Sequence, residues 1–168
     1  MKNLTKAILF MTATCISGAT LAEDEEGLAS FKSMKPAVAI KLAQATLKAC
    51  RDGGYQIAVA VVDRAGVVQV ILRDQLAGAH TPETARRKAW TAASFKTDTL
   101  AMMKETQAGK SQSGVRFVTD AMMIGGGIPV NVAGSLIGAV GVSGAPGGEI
   151  DHMCAEKGIE AIEDILMF

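Results

Sequence analysis

The sequence predicts an α+β fold in three layers, an antiparallel sheet with helices on both faces. Valine- and isoleucine-rich runs come in two adjacent pairs, each joined by glycine-containing punctuation, which is the pattern of β-hairpins and so of antiparallel pairing. Stretches with apolar residues at helical spacing precede, separate and follow those pairs. The runs of the first pair are apolar at nearly every residue, so both faces of the sheet need cover.

Residues 1–22, "MKNLTKAILFMTATCISGATLA", read as a signal peptide: lysines at positions 2 and 6, an apolar stretch, and small residues Thr20 and Ala22 placed for cleavage after Ala22. The apolar stretch is too short for a permanent span. A lipid anchor at Cys15 is the rival reading, but "MTATC" lacks the usual leucine and small-residue pattern before the cysteine. Residues 23–168 then form a single domain, expected to be exported to the periplasm or secreted, with no membrane span after cleavage.

"SMKPAVAIKLAQATLKACRDGG" predicts the first helix, begun by Pro36 and stopped by Gly53-Gly54, with Val38, Leu42, Ala45 and Ala49 as its stripe and Ala39, Ala43 and Cys50 beside it. "YQIAVAVVDRAGVVQVILRD" predicts a hairpin turning at Asp63-Arg64-Ala65-Gly66. The next helix runs from Pro82 to about Lys96, with Thr81 as N-cap and Ala85, Ala89 and Ala92 on the face toward the sheet. A short helix in "TDTLAMMKETQAGKSQSGVRF" leads to a glycine-containing loop. "IPVNVAGSLIGAVGVSG" predicts the second hairpin, turning at Ala133-Gly134-Ser135, with Gly138 and Gly141 marking bulges or the close approach of another group. A last helix from Glu149 to Leu166 faces inward through Cys154, Gly158, Ala161 and Ile165. This order excludes a Rossmann fold, which needs parallel βαβ units.

Removing Lys2 and Lys6 leaves 15 basic against 17 acidic residues, so nothing in the net charge attracts nucleic acid or anionic lipid. Cleavage also removes Cys15 and leaves Cys50 and Cys154 as the only intramolecular pair; they are either a disulfide or two small core residues. Three chemical motifs fail when spelled out. "AGKS" lacks the first glycine of a P-loop, "GVSGA" ends in Ala145 where a nucleophile elbow needs glycine, and "GGGIPV" has Val130 where a dinucleotide fingerprint needs one. His152, with Glu149 and Glu156 at i−3 and i+4, reads as part of a solvated helix face.

"AGAHTPETARRKAW" is the richer stretch. His80 stands at the positive end of a helix, Arg86, Arg87 and Lys88 fall within its first two turns, and Trp90 follows one turn after Arg86. Such a set suits a flat, partly apolar ligand bearing carboxylates, with His80 able to reach a metal. The plain alternative is a helix start with a solvated basic face, since the three charges span nearly a full turn and cannot all face one pocket.

"VAVVDRAGVVQVILRD", "TPETARRKAWTAASFKTDT", "GGGIPV" and "GSLIGAVGVSGAPGGEIDHMCAEKGIEAI" occur in the order seen in the GlcG/HbpS haem-binding family, which the chain resembles over nearly all of residues 23–168. The loop "RDQLAGAH" departs from the R-x-D-G-A common among relatives. The resemblance implies a sheet of about five strands, homo-oligomers, and non-covalent (b-type) haem binding that serves sequestration, delivery or redox sensing, in some cases with a sensor or receptor partner. On that footing His80 is the candidate axial ligand of the haem iron; Arg87 and Lys88 are candidates for propionate pairing or a secondary iron contact; Thr81, Trp90 and Met122 line the pocket; and Arg73 closes it. Gly126, within Gly125–Gly127, either lets backbone approach the ligand or belongs to a loop before a strand. The rival is an accessory or sensor protein that binds another small organic acid or a partner protein, with haem incidental. No paired acid and base or nucleophile stands out, so turnover is not expected.

Overall fold

The computed structural model describes residues 27–166, so the candidate signal peptide and Cys15 lie outside the described residues. Helix α1 (Pro36–Asp52) leads into hairpin β1 (Ala58–Asp63) and β2 (Val68–Arg73). Helix α2 (Thr81–Phe95) follows, then a short α3 (Thr99–Glu105) and a 3-10 turn (Ser113–Phe117). Hairpin β3 (Gly127–Val132) and β4 (Ser135–Ser143), α4 (Gly148–Glu160) and a one-turn α5 (Glu163–Leu166) complete the described chain.

Among the described residues the sheet has four strands, not about five, in the order β2-β1-β4-β3, every pair antiparallel. The reason is local: between α3 and β3 the chain carries glycines at 114, 125 and 126 and a left-handed Asp120, and it closes turns instead of extending. Gly126 lends only its carbonyl to the ladder, accepting the Val142 N–H at 2.9 Å.

Pleat alternation splits the core in two. Val59, Val61, Val140 and Val142 face α1 and α4, with Leu42, Cys50, Cys154 and Ala155. Ala58, Ala60, Val62 and Ala139 face α2, meeting Ala85, Ala89 and Ala92. The small side chains bring α2 so close that a Cβ on Gly141 would lie 2.1 Å from the Ala85 carbonyl oxygen, which explains that glycine as close approach and not a bulge. Cover on both faces fits the inner strands β1 and β4, whereas edge strand β2 keeps Val68 and Ile71 partly in water.

Three further expectations are corrected. The buried stripe of α1 is Ala39, Leu42, Ala43, Thr46, Leu47 and Cys50, rotated by one residue from Val38, Ala45 and Ala49, which are half-buried. The last helix stops at Glu160, and Ile162 is buried where Ala161 and Ile165 were expected. Thr81 is the first residue of α2 and not its cap: His80 occupies that place, and the Thr81 hydroxyl donates backwards to the Gly78 carbonyl at 2.8 Å. Helices α1 and α4 cross where Gly158 meets Thr46, and the structure joins them by a Cys50–Cys154 disulfide. No described helix is long and apolar enough to cross a membrane.

Candidate functional site

A cleft of about 520 Å³ opens where the start of α2 meets the glycine-rich connection from β4 to α4. Its size is in the range of small-molecule sites. Two helices of more than ten residues begin at its edge, α2 and α4, and neither has a side chain capping its first N–H groups. Those groups and the aligned peptide dipoles favour an anion.

His80 stands exposed on the rim, its ring folded over Gly78, where a Cβ would come within 2.7 Å of Cε1. Thr81 and Thr84 follow on the same helix face; the Thr84 hydroxyl donates to the His80 carbonyl at 3.1 Å. Leu76, Met122 and Ile124 supply an apolar wall, with Leu76 and Ile124 open to solvent.

Lys88 lines the cleft together with Asp151, both buried. Lys88 Nζ donates to Asp151 Oδ2 at 2.7 Å and to the Val142 carbonyl at 2.8 Å, while Asp151 Oδ1 accepts the Ala145 N–H at 3.0 Å. Burial disfavours both charges. It pushes the Lys88 ammonium below its ordinary range, against the pull of Asp151, and pushes the Asp151 carboxyl up, partly offset by Lys88 and the Ala145 N–H.

The structure therefore gathers His80, Thr81, Lys88 and Met122 around one cleft. It does not gather the rest. Trp90 packs against Gly66 in the β1–β2 turn, because ten residues of helix carry it about 15 Å along the axis from His80. Arg87 turns the other way and donates to the carbonyls of Asp120 (3.3 Å) and Ala121 (2.9 Å), fixing the backbone just before Met122. Arg86 pairs with Glu83 and Asp120, so the basic run is mostly spent on structure. Arg73 ties its own loop through the carbonyls of Gln75 and Ala77. Gly126 backs the buried pair: a Cβ there would meet Asp151 Cβ at 2.8 Å and Lys88 Nζ at 3.1 Å. His152 sits at a different depression with Asp98 and Glu156, and its Nε2 lies 3.3 Å from Glu156. Sequence reasoning missed Asp151, Ser143 and the Gly144–Gly148 rim. The one available signal was an acidic residue in the first turn of a helix that follows a glycine-rich connection.

A family model described as haem-degrading protein HbpS-like matches residues 34–160. HbpS of Streptomyces reticuli, solved as a double mutant, is similar at 31% identity and TM-score 0.76 over 87% of this chain and 98% of its own. A solved PduOC complex with heme is similar at 29% identity and TM-score 0.73 over 77% of this chain and 95% of its own. An uncharacterized 15.0 kDa protein from the dhaT-dhaS intergenic region of Citrobacter freundii is 30% identical over 131 residues, which is 77% of this chain and 92% of the relative. Matched over more than half its length, the chain belongs to the HbpS-like family.

Proposed function

We propose that this protein binds haem non-covalently in the cleft at the start of α2 and serves its sequestration, delivery or sensing as an exported oligomer. The observation that carries the proposal is the donor set of the cleft: the His80 imidazole on the rim, the Met122 thioether and the Leu76 and Ile124 side chains on the wall, and two uncapped helix starts suited to propionates. These residues fit the group. Bound haem would supply an iron centre; His80 would hold the iron, Met122 and Ile124 would offer apolar contact, and backbone N–H groups would take the carboxylates. Lys88 lies at the floor with its charge paired to Asp151, while Arg73, Arg87 and Trp90 act on the loop, on the Asp120–Ala121 backbone and on the hairpin. Support also comes from the similar PduOC chain, solved with heme. Export is supported by the leader-like residues 1–22 and by the cysteine pair.

The polar floor and the two helix starts favour a second reading, an accessory or sensor protein for a small organic acid with haem incidental. Hemin titration of the apo protein separates them. The expected result is a shifted Soret band saturating at one equivalent. His80→Ala should weaken it by at least the ~10-fold that loss of a supporting contact costs at a metal site. An unshifted band, or a His80→Ala titration identical to wild type, overturns the haem reading or the ligand assignment respectively.

A further inference from the structure

The cleft contains a buried amine held beside a buried carboxylate, and the family resemblance gives that pair no task as an acid and a base. Lys88 is 1% exposed and Asp151 4%, yet both line a cleft that opens to solvent. Glycine packing encloses them: Gly126 stands against Nζ, and a Cβ on Gly127 would come within 2.3 Å of the Lys88 carbonyl oxygen. Buried ion pairs are in general no more stabilising than apolar side chains of the same volume, so stability alone does not account for one at the floor of a cleft.

We infer that Lys88 forms an imine with small carbonyl compounds bearing a carboxylate or phosphate. The inference rests on the cleft alone and not on haem binding. Asp151 Oδ2, at 2.7 Å, is placed to take the proton from the ammonium and free the amine lone pair. The amine adds to the carbonyl carbon, and the proton that the now positively charged nitrogen sheds passes to the oxyanion, giving a neutral carbinolamine. Asp151 then returns its proton to the hydroxyl, which leaves as water while the nitrogen lone pair forms the C=N bond. Ammonium and carbonyl thus become protonated imine and water, with no oxidant or reductant consumed. The anionic end of the compound lies toward the N–H groups at the start of α4 that no side chain caps, and burial holds the Lys88 ammonium below its ordinary range, which favours the free amine.

The test uses the apo protein with pyruvate as probe and sodium cyanoborohydride as trap, followed by peptide mass mapping. The expected adduct falls on the peptide containing Lys88, forming about 10-fold or more faster than on the exposed Lys48, with Asp151→Asn slowing it by a similar factor. Lys88→Arg, which keeps the charge facing Asp151, should abolish the site-specific adduct. Adducts confined to exposed lysines, or total trapping unchanged in Lys88→Arg, overturn the proposal. If Lys88→Arg fails to fold, the wild-type peptide map alone decides. Trapping at an unchanged rate in folded Asp151→Asn removes the proton-transfer role. No Soret signal is read, so a failed hemin titration and a failed trap remain separate results.

Discussion

Lys88 was visible in the sequence as one charge in a basic run, and its neighbours spend theirs on Glu83, Asp120 and backbone carbonyls. What sets it apart is a partner 63 residues away. Asp151→Asn leaves a buried ammonium without a countercharge and should lower stability by about 3 kcal/mol, and adding Lys88→Met should recover most of that loss; urea melts of the single and double variants check both. The pH response follows from the shift directions. Toward the ordinary lysine value of 10.5 the unfolded chain holds a proton that folded Lys88 has shed, so stability from this residue rises with pH. Toward the ordinary aspartate value of 3.8 folded Asp151 holds a proton that the unfolded chain has lost, so its contribution rises as pH falls. The wild type should therefore gain on the Lys88→Met/Asp151→Asn variant at both ends of the pH range, and parallel melting profiles would exclude this coupling. Exposed Glu83, held below its ordinary 4.5 by its hydrogen bond to Arg86, works in the opposite sense: its contribution is present above that value and lost as acid protonates it.

At the scale of elements, the hairpins were legible because valine runs and glycine turns are local signals; the Ala133-Gly134 turn has positive φ at both residues, as a two-residue hairpin needs. The alanine face of α2 was legible for the same reason, being periodic. The site was legible only in its first half. His80, Thr81 and Lys88 share one helix face, whereas the opposite wall comes from β4 and α4, and no periodicity ties residues 143–151 to residue 88. Trp90 is near His80 in sequence but not in space, because it packs against Gly66 in the β1–β2 turn. Contact between α2 and the sheet makes a further expectation specific. Gly141→Ala should cost about 3 kcal/mol, because its methyl meets backbone at Ala85 and Ala89 that cannot move aside. Gly134→Ala, strained by its φ of +76° but free of contacts, should cost about 1 kcal/mol. Equal losses in thermal or chemical melts would mean that α2 does not sit on Gly141.

At the scale of the whole molecule, the disulfide spans 104 residues, a loop long enough for a large effect on the unfolded chain. The loop-entropy account gives about 5 kcal/mol, so Cys50→Ala/Cys154→Ala should melt roughly 10–20 °C lower. Titration of the denatured, unreduced chain beginning at residue 23 should find no free thiol; two thiols would remove the bond and the expectation with it. The inner stripes of the first and last helices suggest from sequence alone that the two pack together, but bond and core packing stay equal alternatives there because a stripe does not say whether two sulfurs meet; the structure sets the crossing by Gly158 against Thr46 and joins the sulfurs.

That crossing also has a mechanical meaning. The ring closed by Cys50 and Cys154 contains all four strands, α2 and every residue that lines the cleft. A pull on the two ends would pass from α1 to α4 across the sulfur bridge, so the strands and the cleft inside the ring stay off the covalent path of the load. The cleft in effect hangs from its own tether: a cut in either tail leaves α1 and α4 covalently joined around it.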